Sequence, residues 1–445
     1  MKLFPHQIEV LDETANMNHV AYYLDMGLGK TYVGSEKLFR LGARVNLVVC
    51  QKSKINDWFN HFCENYRGSG YFFFDLTKKK EMECFLSMVR GDSKIVGIIN
   101  YELLWRRKRL LELENFTLML DESSLIQNDK AKQTKFILKL NPVNVILLSG
   151  TPTAGKYERL WTQAHLLGWT ITKRTYENTY INWNLLDIGG TKVRVVSKRN
   201  PYKNVERLKR KFREHGAIFM KTEEVLELPD QQFINVVVDK PTTYTKFLKT
   251  GYLKLDTKNL IEFHEESDFY GTVKVPHIEL IGNTTLTMRL HLRMLASQYN
   301  DNKIKALKDL IESTNDRLII FYNFNSELEV IKKICEGFKR PVSVVNGEVK
   351  DLSAYERHDD SISLIQYQAG SMGLNLQKAN KIIYFSLPER SELFEQSKKR
   401  IHRIGQKQPC FYYVMLTKGT IDNAIYKALQ ERRDFTDELF KEVIK

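Results

Sequence analysis

Apolar positions in this chain fall into short continuous runs separated by stretches with helical spacing. The run HVAYYL, residues 19–24, is typical of a buried strand, whereas TYVGSEKLFRLG repeats apolar residues from Val33 through Leu38 to Leu41 at helical spacing. This alternation predicts βαβ units and a parallel sheet covered on both faces. Four more runs continue the series: VNLVVC (45–50), KIVGIIN (94–100), FTLMLDE (116–122) and NVILLSG (144–150).

A second series of apolar runs begins near residue 317, so we expect a second α/β domain. Between the two series, residues 197–215 favour a mostly basic helix, and residues 240–300 look largely helical. The stretch ELPDQQ around Pro229 indicates a helix break and a candidate hinge or crossover. The runs of the second series are RLIIFYN (317–323), VSVVNG (342–347), SLIQYQAG (363–370), KIIYFS (381–386) and CFYYVML (410–416).

Composition narrows the class of protein. With 445 residues, of which 42% are apolar and 11% aromatic, the chain is long enough for two or three globular domains. Its five cysteines include no CxxC pair, which favours a reducing compartment over a disulfide framework or a zinc module. We expect a cytoplasmic protein without a membrane span, since no run of about 18 apolar residues occurs. The net charge of +14 favours a polyanionic partner such as nucleic acid.

The stretch LDMGLGKTYV, which begins at Leu24, places Gly27 and Gly29 between a strand and a helix. The free N–H groups of a first helical turn attract an anion such as a phosphate. Lys30 adds a point charge for the outer phosphates, and Thr31 offers a hydroxyl to magnesium. Because Leu24 stands where the strict GxxxxGK[ST] pattern has its first glycine, an ordinary glycine-rich turn before a lysine is the alternative.

Polar residues follow two further strands. Asp121 would hold magnesium, and Glu122 would orient and deprotonate an attacking water. Taken alone, such an acidic pair is more often a helix N-cap, but the phosphate loop favours the catalytic interpretation. In LLSGTPTAG, Ser149 and Thr151 should lie at the same edge of the sheet, with an ordinary Ser/Thr/Pro turn as the alternative.

Far along the chain, EQSKKRIHRIGQ contains Gln396, Arg400 and Arg403 at positions i, i+4 and i+7. That spacing predicts one face of a helix. A basic helical face is usually solvated or contacts nucleic acid. Arginines from a second domain can also neutralise charge that develops on a γ-phosphate.

In their order along the chain, these motifs resemble those of the SNF2 (Swi2/Snf2) ATPases of helicase superfamily 2. The resemblance covers nearly the whole chain, and AGSMGLNL followed by RIHRIGQ is its most specific part. The matching segments are LFPHQIEVLD, LDMGLGKT, IINYELL, LDESS, LLSGTP, RLIIFYNFNSELEVI, YQAGSMGLNLQKANKIIYFS and QSKKRIHRIGQ.

The resemblance implies an α/β fold of two tandem RecA-like lobes, each a parallel sheet flanked by helices, with helical insertions and an ATP cleft between the lobes. We expect the first lobe at residues 1–222, with a basic helical insertion near 165–215. The second lobe is expected at 223–445, with a helical insertion near 240–300. The implied activity is DNA-stimulated ATP hydrolysis with ATP and Mg²⁺, which drives translocation along duplex DNA or remodels protein–DNA complexes.

The same resemblance assigns roles to individual residues. Gln7 resembles the glutamine that reads adenine, and Lys30 and Thr31 match the phosphate and magnesium residues behind Gly27 and Gly29. Asp121 and Glu122 match the acidic motif, Arg400 and Arg403 match the arginine fingers, and Gln396 lies beside them. The residues expected to couple the ATP site to the DNA groove are Ser149, Thr151, Gly370 and Ser371.

Three features depart from the pattern of the family. Ser124 stands where the family usually has histidine, which leaves open how the acidic loop communicates with SGTP. The segment LPERS, which begins at Leu387, replaces the usual aspartate and tryptophan-asparagine-proline. Insertions are short and no extension domain is recognisable, so we expect a minimal bacterial or phage-like member, in the bacterial cytoplasm or in a phage-infected host cell.

Nucleic acid would contact basic clusters through its phosphates, with an affinity that falls steeply with salt. Candidates are Arg106 and Arg107 in WRRKR, and positions 208, 210 and 211 in LKRKFR, which are Leu208, Arg210 and Lys211. Any one cluster is more often a solvated surface. The expected partner is double-stranded DNA, with single-stranded DNA or RNA as alternatives.

Two other functions compete with a duplex-DNA translocase. One is a strand-separating helicase that acts on DNA or RNA. The other is a non-catalytic nucleic-acid-binding clamp whose ATP site is vestigial, which only the departures at Leu24 and Ser124 favour.

Overall fold

The chain divides into two compact units, residues 1–227 and 228–445, which we call lobe one and lobe two. The sequence-based expectation put this boundary between residues 222 and 223. The structure is a computed structural model that describes the following residues: 3–25, 27–150, 152, 156–188, 191–197, 199–225, 228–256, 277–370, 374–431 and 440.

A seven-stranded sheet forms the centre of lobe one, with strand order β3-β4-β2-β5-β6-β1-β9 and every neighbouring pair parallel. Two further strands, β7 and β8, form a separate antiparallel pair. The strands are β1 (His19–Leu24), β2 (Val45–Cys50), β3 (Tyr71–Asp75), β4 (Lys94–Asn100), β5 (Phe116–Asp121), β6 (Asn144–Leu148), β7 (Trp183–Ile188), β8 (Thr191–Val196) and β9 (Ala217–Met220).

Helices cover both faces of this sheet. In β2, Leu47 and Val49 point into a core shared with later helices, whereas Val48 and Cys50 point into a core shared with the first three helices. This two-sided burial explains why the strands read as continuous apolar runs. The helices are α1 (Pro5–Glu13), α2 (Lys30–Leu41), α3 (Ile55–Asn65), α4 (Lys79–Met88), α5 (Tyr101–Leu104), α6 (Lys132–Ile137), α7 (Trp161–Leu166), α8 (Lys173–Tyr180), α9 (Val205–Glu214) and α10 (Thr222–Val225).

Lobe two is built on a second seven-stranded sheet, with order β10-β18-β17-β13-β16-β14-β15. All its pairs are parallel except β14 with β15. Strands β11 and β12 pair separately and antiparallel. The strands are β10 (Gln231–Val238), β11 (Tyr252–Asp256), β12 (His277–Ile281), β13 (Leu318–Tyr322), β14 (Val342–Val345), β15 (Lys350–Asp351), β16 (Ile362–Gln366), β17 (Lys381–Tyr384) and β18 (Cys410–Thr417).

The sheet of lobe two also has a core on each face. In β13, Ile319 and Phe321 belong to one core, and Leu318 and Ile320 to the other. The helices are α11 (Thr242–Thr250), α12 (Thr285–Ala296), α13 (Asp301–Glu312), α14 (Asn325–Glu336), α15 (Ser353–Arg357), α16 (Tyr367–Gly370), α17 (Ser391–Lys398) and α18 (Ile421–Gln430). Among the described residues, no helix has the length and apolar character needed to cross a membrane.

The predicted α/β class is confirmed: both sheets are flanked by helices, and every pair in them except β14 with β15 is parallel. Every apolar run of the two predicted series contains a strand of one of these sheets. The prediction missed β3, β9, β10 and β15, which are the outermost strands of their sheets. β10, for example, has exposed positions on both of its faces, as is usual for an outermost strand.

Both insertions were expected to be helical, and this expectation is wrong in part. Each contains helices and also a two-stranded antiparallel unit, β7 with β8 in lobe one and β11 with β12 in lobe two. In the first case the sequence holds a signal: two β-prone runs, WNLLDI and TKVRVV, flank Gly189 and Gly190. A Gly-Gly pair between such runs is typical of a β-hairpin.

A buried ion pair ties two helices of lobe two together. The ammonium of Lys303 in α13 lies 2.7 Å from Oδ2 of Asp422 in α18, and both side chains are almost fully buried. The same carboxylate oxygen accepts the N–H of Thr417 at 3.1 Å. Removal of one partner would leave an uncompensated charge inside the protein.

We therefore expect Lys303→Met to lower the free energy of unfolding of lobe two by about 3–5 kcal/mol. Lys332→Met is the matched control, because its ion pair with Glu329 is exposed and worth about 0–1 kcal/mol. Urea unfolding of the full chain measures the effect of each substitution. It is followed by far-UV circular dichroism, because all five tryptophans lie in lobe one and tryptophan fluorescence would not report on lobe two. Equal effects of the two substitutions would contradict the expectation.

Candidate active site

The strand order of lobe one brings three loops to one edge of the sheet. Strand β6 lies between β1 and β5, and all three run parallel. Leu148 is level with Tyr22 on one side and with Asp121 on the other. The residues that follow these strands therefore lie side by side, at the carboxyl edge where α/β sheets bind ligands.

The loop after β1 has the backbone of a phosphate cradle. Gly27 and Gly29 have φ values of 91° and 76°, a left-handed conformation that favours glycine. Gly29 is the N-cap of α2, so the helix begins at Lys30 and its first N–H groups face the loop. The ammonium of Lys30 donates to the carbonyls of Leu24 (3.0 Å) and Asp25 (3.3 Å) across the same loop. Thr31 is the second residue of α2.

Gln7, on α1, forms a hydrogen bond with this loop. Its Oε1 accepts the Phe4 N–H (3.0 Å) and its Nε2 donates to the carbonyl of Leu28 (3.0 Å). His6 donates to the same carbonyl through Nε2 (3.1 Å). A Cβ on Gly29 would lie 2.1 Å from Nε2 of Gln7, so any other residue there requires Gln7 to move. The role of Gln7 toward adenine stays a prediction, and the structure adds that its amide packs against the phosphate loop.

A buried lysine holds α1 against α2. Lys37 of α2 is 1% exposed, and its ammonium donates to the carbonyl of Thr14 (2.6 Å) just after α1 ends. Burial lowers the pKa of Lys37. Because cations at a helix C-terminus bind its free carbonyls, this contact fixes the helix that carries Gln7 relative to the phosphate loop.

Asp121, the last residue of β5, accepts hydrogen bonds through both its side chain and its backbone. Its Oδ2 accepts the indole N–H of Trp58 (2.8 Å), and its backbone carbonyl accepts the Tyr101 hydroxyl (2.9 Å). Burial raises the pKa of this carboxyl; the Trp58 hydrogen bond opposes the shift, and the neighbouring Glu122 adds to it. Lys54 and Lys30 lower the pKa through their charge, so Lys30 acts electrostatically on Asp121. Sequence reasoning missed Trp58, which follows β2 in α3.

Glu122 has an unusual backbone. Its φ of 56° is left-handed, although the residue is not glycine. Its Oε1 accepts two hydroxyls, Ser124 Oγ at 2.9 Å and Ser149 Oγ at 2.9 Å. Ser124 thus occupies the usual histidine position and binds Glu122. The acidic loop and the SGTP segment meet directly at this carboxylate.

Thr151, expected to couple sites in the same segment, lies outside the described residues, as does Ser371 in lobe two. Gly370 is the last residue of α16, which begins with Tyr367. The Tyr367 hydroxyl donates to the carbonyl of Ser386 (2.9 Å), which ties the start of α16 to the end of β17. The coupling roles of Ser149 and Gly370 stay predictions.

The helical face predicted for Gln396, Arg400 and Arg403 is wrong. Helix α17 ends at Lys398, so Gln396 is helical, whereas both arginines lie in the irregular segment that follows. The carbonyl of Lys398 is bound by the Tyr412 hydroxyl (2.9 Å). The carbonyl of Arg400 is bound by the Leu376 N–H (3.1 Å). The Leu376 N–H therefore takes the carbonyl of Arg400, which a longer helix would use, whereas the carbonyl of Lys398 also accepts the His402 N–H at 3.4 Å.

These side chains are polar groups in a largely buried environment. Gln396 Nε2 donates to Glu392 Oε1 (3.2 Å). Within the part of lobe two that the structure describes, Gln396 Oε1 and Arg403 Nε are buried without a hydrogen-bond partner. Burial lowers the pKa of Arg403. Buried polar atoms of this kind need a partner, which a charged ligand could supply.

Gln406, the last residue of RIHRIGQ, holds the arginine segment in place. It is 9% exposed, and its Nε2 donates to the carbonyls of Ala379 (2.9 Å), Gln377 (3.2 Å) and Ile401 (3.3 Å). Its Oε1 accepts the N–H groups of residues 407 and 408 (3.0 Å each). No role was predicted for this glutamine from its motif; the structure makes it the anchor of the segment.

The LPERS segment, which departs from the family pattern, is bound to a neighbouring helix. Glu389 lies 3.2 Å from Arg289 and 3.4 Å from Arg293, both on α12. Arg293 also donates to the carbonyl of Leu387 (2.8 Å). A carboxylate between two arginines thus binds this segment to α12.

The basic clusters differ in how free their charges are. Arg106 is exposed and stacks over the Trp105 ring (5.2 Å), whereas Arg107 is half-buried and donates to the carbonyl of Thr77 (3.4 Å). Two basic residues of α9 pair with Glu214, Arg210 at 3.7 Å and Lys211 at 2.6 Å.

The nucleic-acid contact predicted at position 208 is wrong. Leu208 is 1% exposed and belongs to the core of lobe one. On an amphipathic helix such as α9, one face must pack against the sheet, and position 208 lies on that face.

Two family models match the chain. Residues 23–268 match the SNF2-related domain, and residues 302–405 match the helicase conserved C-terminal domain. The first match alone spans more than half of the 445 residues. The chain belongs to the SNF2-related family. This confirms the resemblance that the motifs predicted, and with it the fold of two RecA-like lobes.

Curated relatives of this SNF2-related protein come from bacteria and animals. It is 23% identical over 510 residues to the DNA excision repair protein ERCC-6-like of Bos taurus, and this match covers 94% of this chain and 39% of that protein. It is 22% identical over 442 residues to the SWI/SNF-related matrix-associated actin-dependent regulator of chromatin subfamily A member 1 of Mus musculus, which covers 90% and 39%. It is 23% identical over 480 residues to the uncharacterized ATP-dependent helicase YqhH of Bacillus subtilis, which covers 96% and 78%. The chain thus spans about two fifths of the two animal proteins.

The contact between Gly29 and Gln7 can be tested with a matched glycine. We expect Gly29→Ala to weaken binding of a fluorescent ATP analogue at least about tenfold, or about 1.4 kcal/mol, because the new Cβ displaces Gln7. Gly42→Ala is the control: its φ of 67° imposes the same left-handed strain at the other end of α2, but nothing lies within 4 Å of its Cβ. Equal loss of affinity in both variants would show that strain alone acts.

Proposed function

We propose that this protein is an ATP-dependent DNA translocase, which hydrolyses ATP to move along duplex DNA or to remodel protein–DNA complexes. The observation that carries the proposal is the Ser149–Glu122 hydrogen bond beside the phosphate loop. It joins a carboxylate suited to activate water to a segment at the same sheet edge as the loop. Membership of the SNF2-related family supports the proposal, as do relatives described as ATP-dependent helicases and as repair and chromatin proteins.

In the proposed site, Lys30 and the N–H groups at the start of α2 bind the phosphates of ATP. Gln7 reads adenine. Thr31 and Asp121 would hold Mg²⁺, and the fit is favourable because this donor set consists of oxygen atoms, which Mg²⁺ prefers. When bound, Mg²⁺ supplies positive charge that offsets the charge of the phosphate oxygens.

Glu122 accepts a proton from the attacking water and orients it. The hydroxyls of Ser124 and Ser149 both donate to one oxygen of this carboxylate, which restricts the rotamer of Glu122. A carboxylate held in one orientation is a better general base than a mobile one.

Lobe two would supply Arg400 and Arg403 to neutralise negative charge on the γ-phosphate during hydrolysis, with Gln396 beside them. The desolvated guanidinium of Arg403 supports this role, since its Nε has no hydrogen-bond partner among the described residues and so can gain one from a phosphate. Duplex DNA is the proposed partner, because a net charge of +14 favours binding to a polyanion.

The experiment that tests the proposal is steady-state ATPase activity with no nucleic acid, single-stranded DNA, duplex DNA and duplex RNA, over a range of salt. Strong stimulation by duplex DNA, without separation of the strands in a displacement assay, would support the translocase. Preference for RNA or single strands, or strand separation, would favour the helicase instead. Nucleotide binding without turnover under every condition would favour the clamp.

We expect Glu122→Gln to lower kcat by about 10²- to 10⁴-fold, the usual contribution of a general base, while ATP binding persists. Glu114→Gln, at an exposed carboxylate shortly before β5, is the matched control and should leave kcat unchanged. Both are measured in the same DNA-stimulated assay, with fluorescent-nucleotide binding alongside. A Glu122→Gln variant that turns over normally would remove Glu122 from the mechanism.

The arginine segment offers a separate test. Gln406→Ala removes the anchor of this segment, so we expect kcat to fall while nucleotide affinity changes little, because the phosphate loop belongs to lobe one. Gln408→Ala changes an exposed glutamine two residues away and should leave both constants unchanged. If Gln406→Ala weakens nucleotide binding as strongly as it lowers kcat, the segment is not specific to hydrolysis.

A further inference from the structure

A glutamine that no motif includes lies behind the acidic loop. Gln163, in α7, is 0% exposed. Its Oε1 accepts two hydroxyls, Tyr23 at 2.8 Å and Ser123 at 2.9 Å. Its Nε2 donates to the carbonyl of Pro152 at 3.2 Å. One amide side chain is thus satisfied by three partners that are distant from it in sequence.

Each partner belongs to a different segment of the candidate site. Tyr23 is the next-to-last residue of β1, which leads into the phosphate loop. Ser123 directly follows Glu122. Pro152 belongs to the SGTP segment after β6. Burial raises the pKa of the Tyr23 hydroxyl, which therefore stays protonated and donates.

Together with the Ser149–Glu122 bond, these contacts close a ring. The ring runs from Glu122 to Ser149 by a hydrogen bond, along the chain to Pro152, through Gln163 to Ser123, and back to Glu122. A ring of this kind fixes the acidic loop and the SGTP segment relative to each other, whereas a single hydrogen bond would let one rotate about the other.

Two neighbouring bonds support the same geometry. Gln127 Nε2 donates to the carbonyl of Pro152 at 3.3 Å, and Thr162 Oγ1 donates to the carbonyl of Ile126 at 2.8 Å. Helix α7 is therefore bound to the acidic loop at more than one point, and Gln163 is the residue that also reaches β1.

The backbone of Glu122 explains why such support is needed. A left-handed conformation at a non-glycine residue persists only where its surroundings hold it. The two hydroxyls on its carboxylate hold the side chain, and the Ser123–Gln163 bond holds the backbone directly after it.

We infer that Gln163 is a positioning residue for hydrolysis, which holds Glu122 in its working orientation through Ser123 and holds the SGTP segment through Pro152. The inference rests on the proposed function, and it gives a role to a residue outside every motif. Since the side chain of Gln163 binds Ser123 beside Glu122 and Pro152 in the SGTP segment, its loss should affect turnover and spare nucleotide affinity.

The test is a double-mutant cycle on DNA-stimulated ATPase activity with Gln163→Met, Ser123→Ala and the double variant. Each single substitution should lower kcat about three- to tenfold, the range that one net hydrogen bond is worth, with KM for ATP within about twofold of wild type. The double variant should be no slower than the slower single variant, because both changes break the same bond.

Two variants separate positioning from stability. Ser123→Ala leaves Gln163 Oε1 bound to Tyr23, so the fold keeps a satisfied amide even if Gln163→Met unfolds. His165→Gln, on the exposed side of the same helix, should change neither constant. A rise in KM that matches the loss in kcat, or multiplicative effects in the double variant, would overturn the inference.

Hydrogen exchange of the nucleotide-free protein keeps the inference testable if no nucleic acid stimulates turnover, in which case the proposed function fails on its own. Gln163→Met and Ser123→Ala should both accelerate exchange of the amides at 122–127 about three- to tenfold, and leave β13 in lobe two unchanged. Unchanged exchange at 122–127 in both variants would overturn the positioning role whatever the activity.

Discussion

The Ser149–Glu122 hydrogen bond exists because β6 lies between β1 and β5 and runs parallel to both. Leu148 is level with Asp121 on one neighbour and with Tyr22 on the other. The next residue of each strand then emerges at the same height, so a serine after β6 meets a glutamate after β5. A shift of one residue in this register would turn every side chain to the opposite face and separate the pair.

The same constraint explains how a chain with Ser124 in place of the usual histidine can still connect its acidic loop to SGTP. The connection does not depend on a long side chain at position 124, because the Glu122 side chain itself reaches Ser149. Ser124 needs only its short hydroxyl to bind the same oxygen. The left-handed backbone of Glu122 turns its carboxylate toward both serines, so the conformation and the contact depend on each other.

Sequence reasoning succeeded where function depends on local order along the chain. The two α/β series, the phosphate loop and the acidic pair all follow from apolar runs and the residues next to them, because parallel strands bury both faces and end at one edge. It failed where distant residues decide the local conformation. Spacing alone predicted a helix through Arg403, but Tyr412 and Leu376 bind carbonyls of this segment from elsewhere in lobe two. The role of Gln163 has no local signal at all, since its partners lie up to 140 residues away.

The way α17 ends separates two groups that a continuous helix would have made one. Gln396 is carried by the helix, whereas Arg400 and Arg403 are carried by a segment that Gln406 anchors through backbone carbonyls. Backbone carbonyls are present whatever the side chains, so this anchor tolerates changes in the residues around it. The irregular backbone thus places Arg400 and Arg403 on a segment with an anchor of its own, and not on one face of α17.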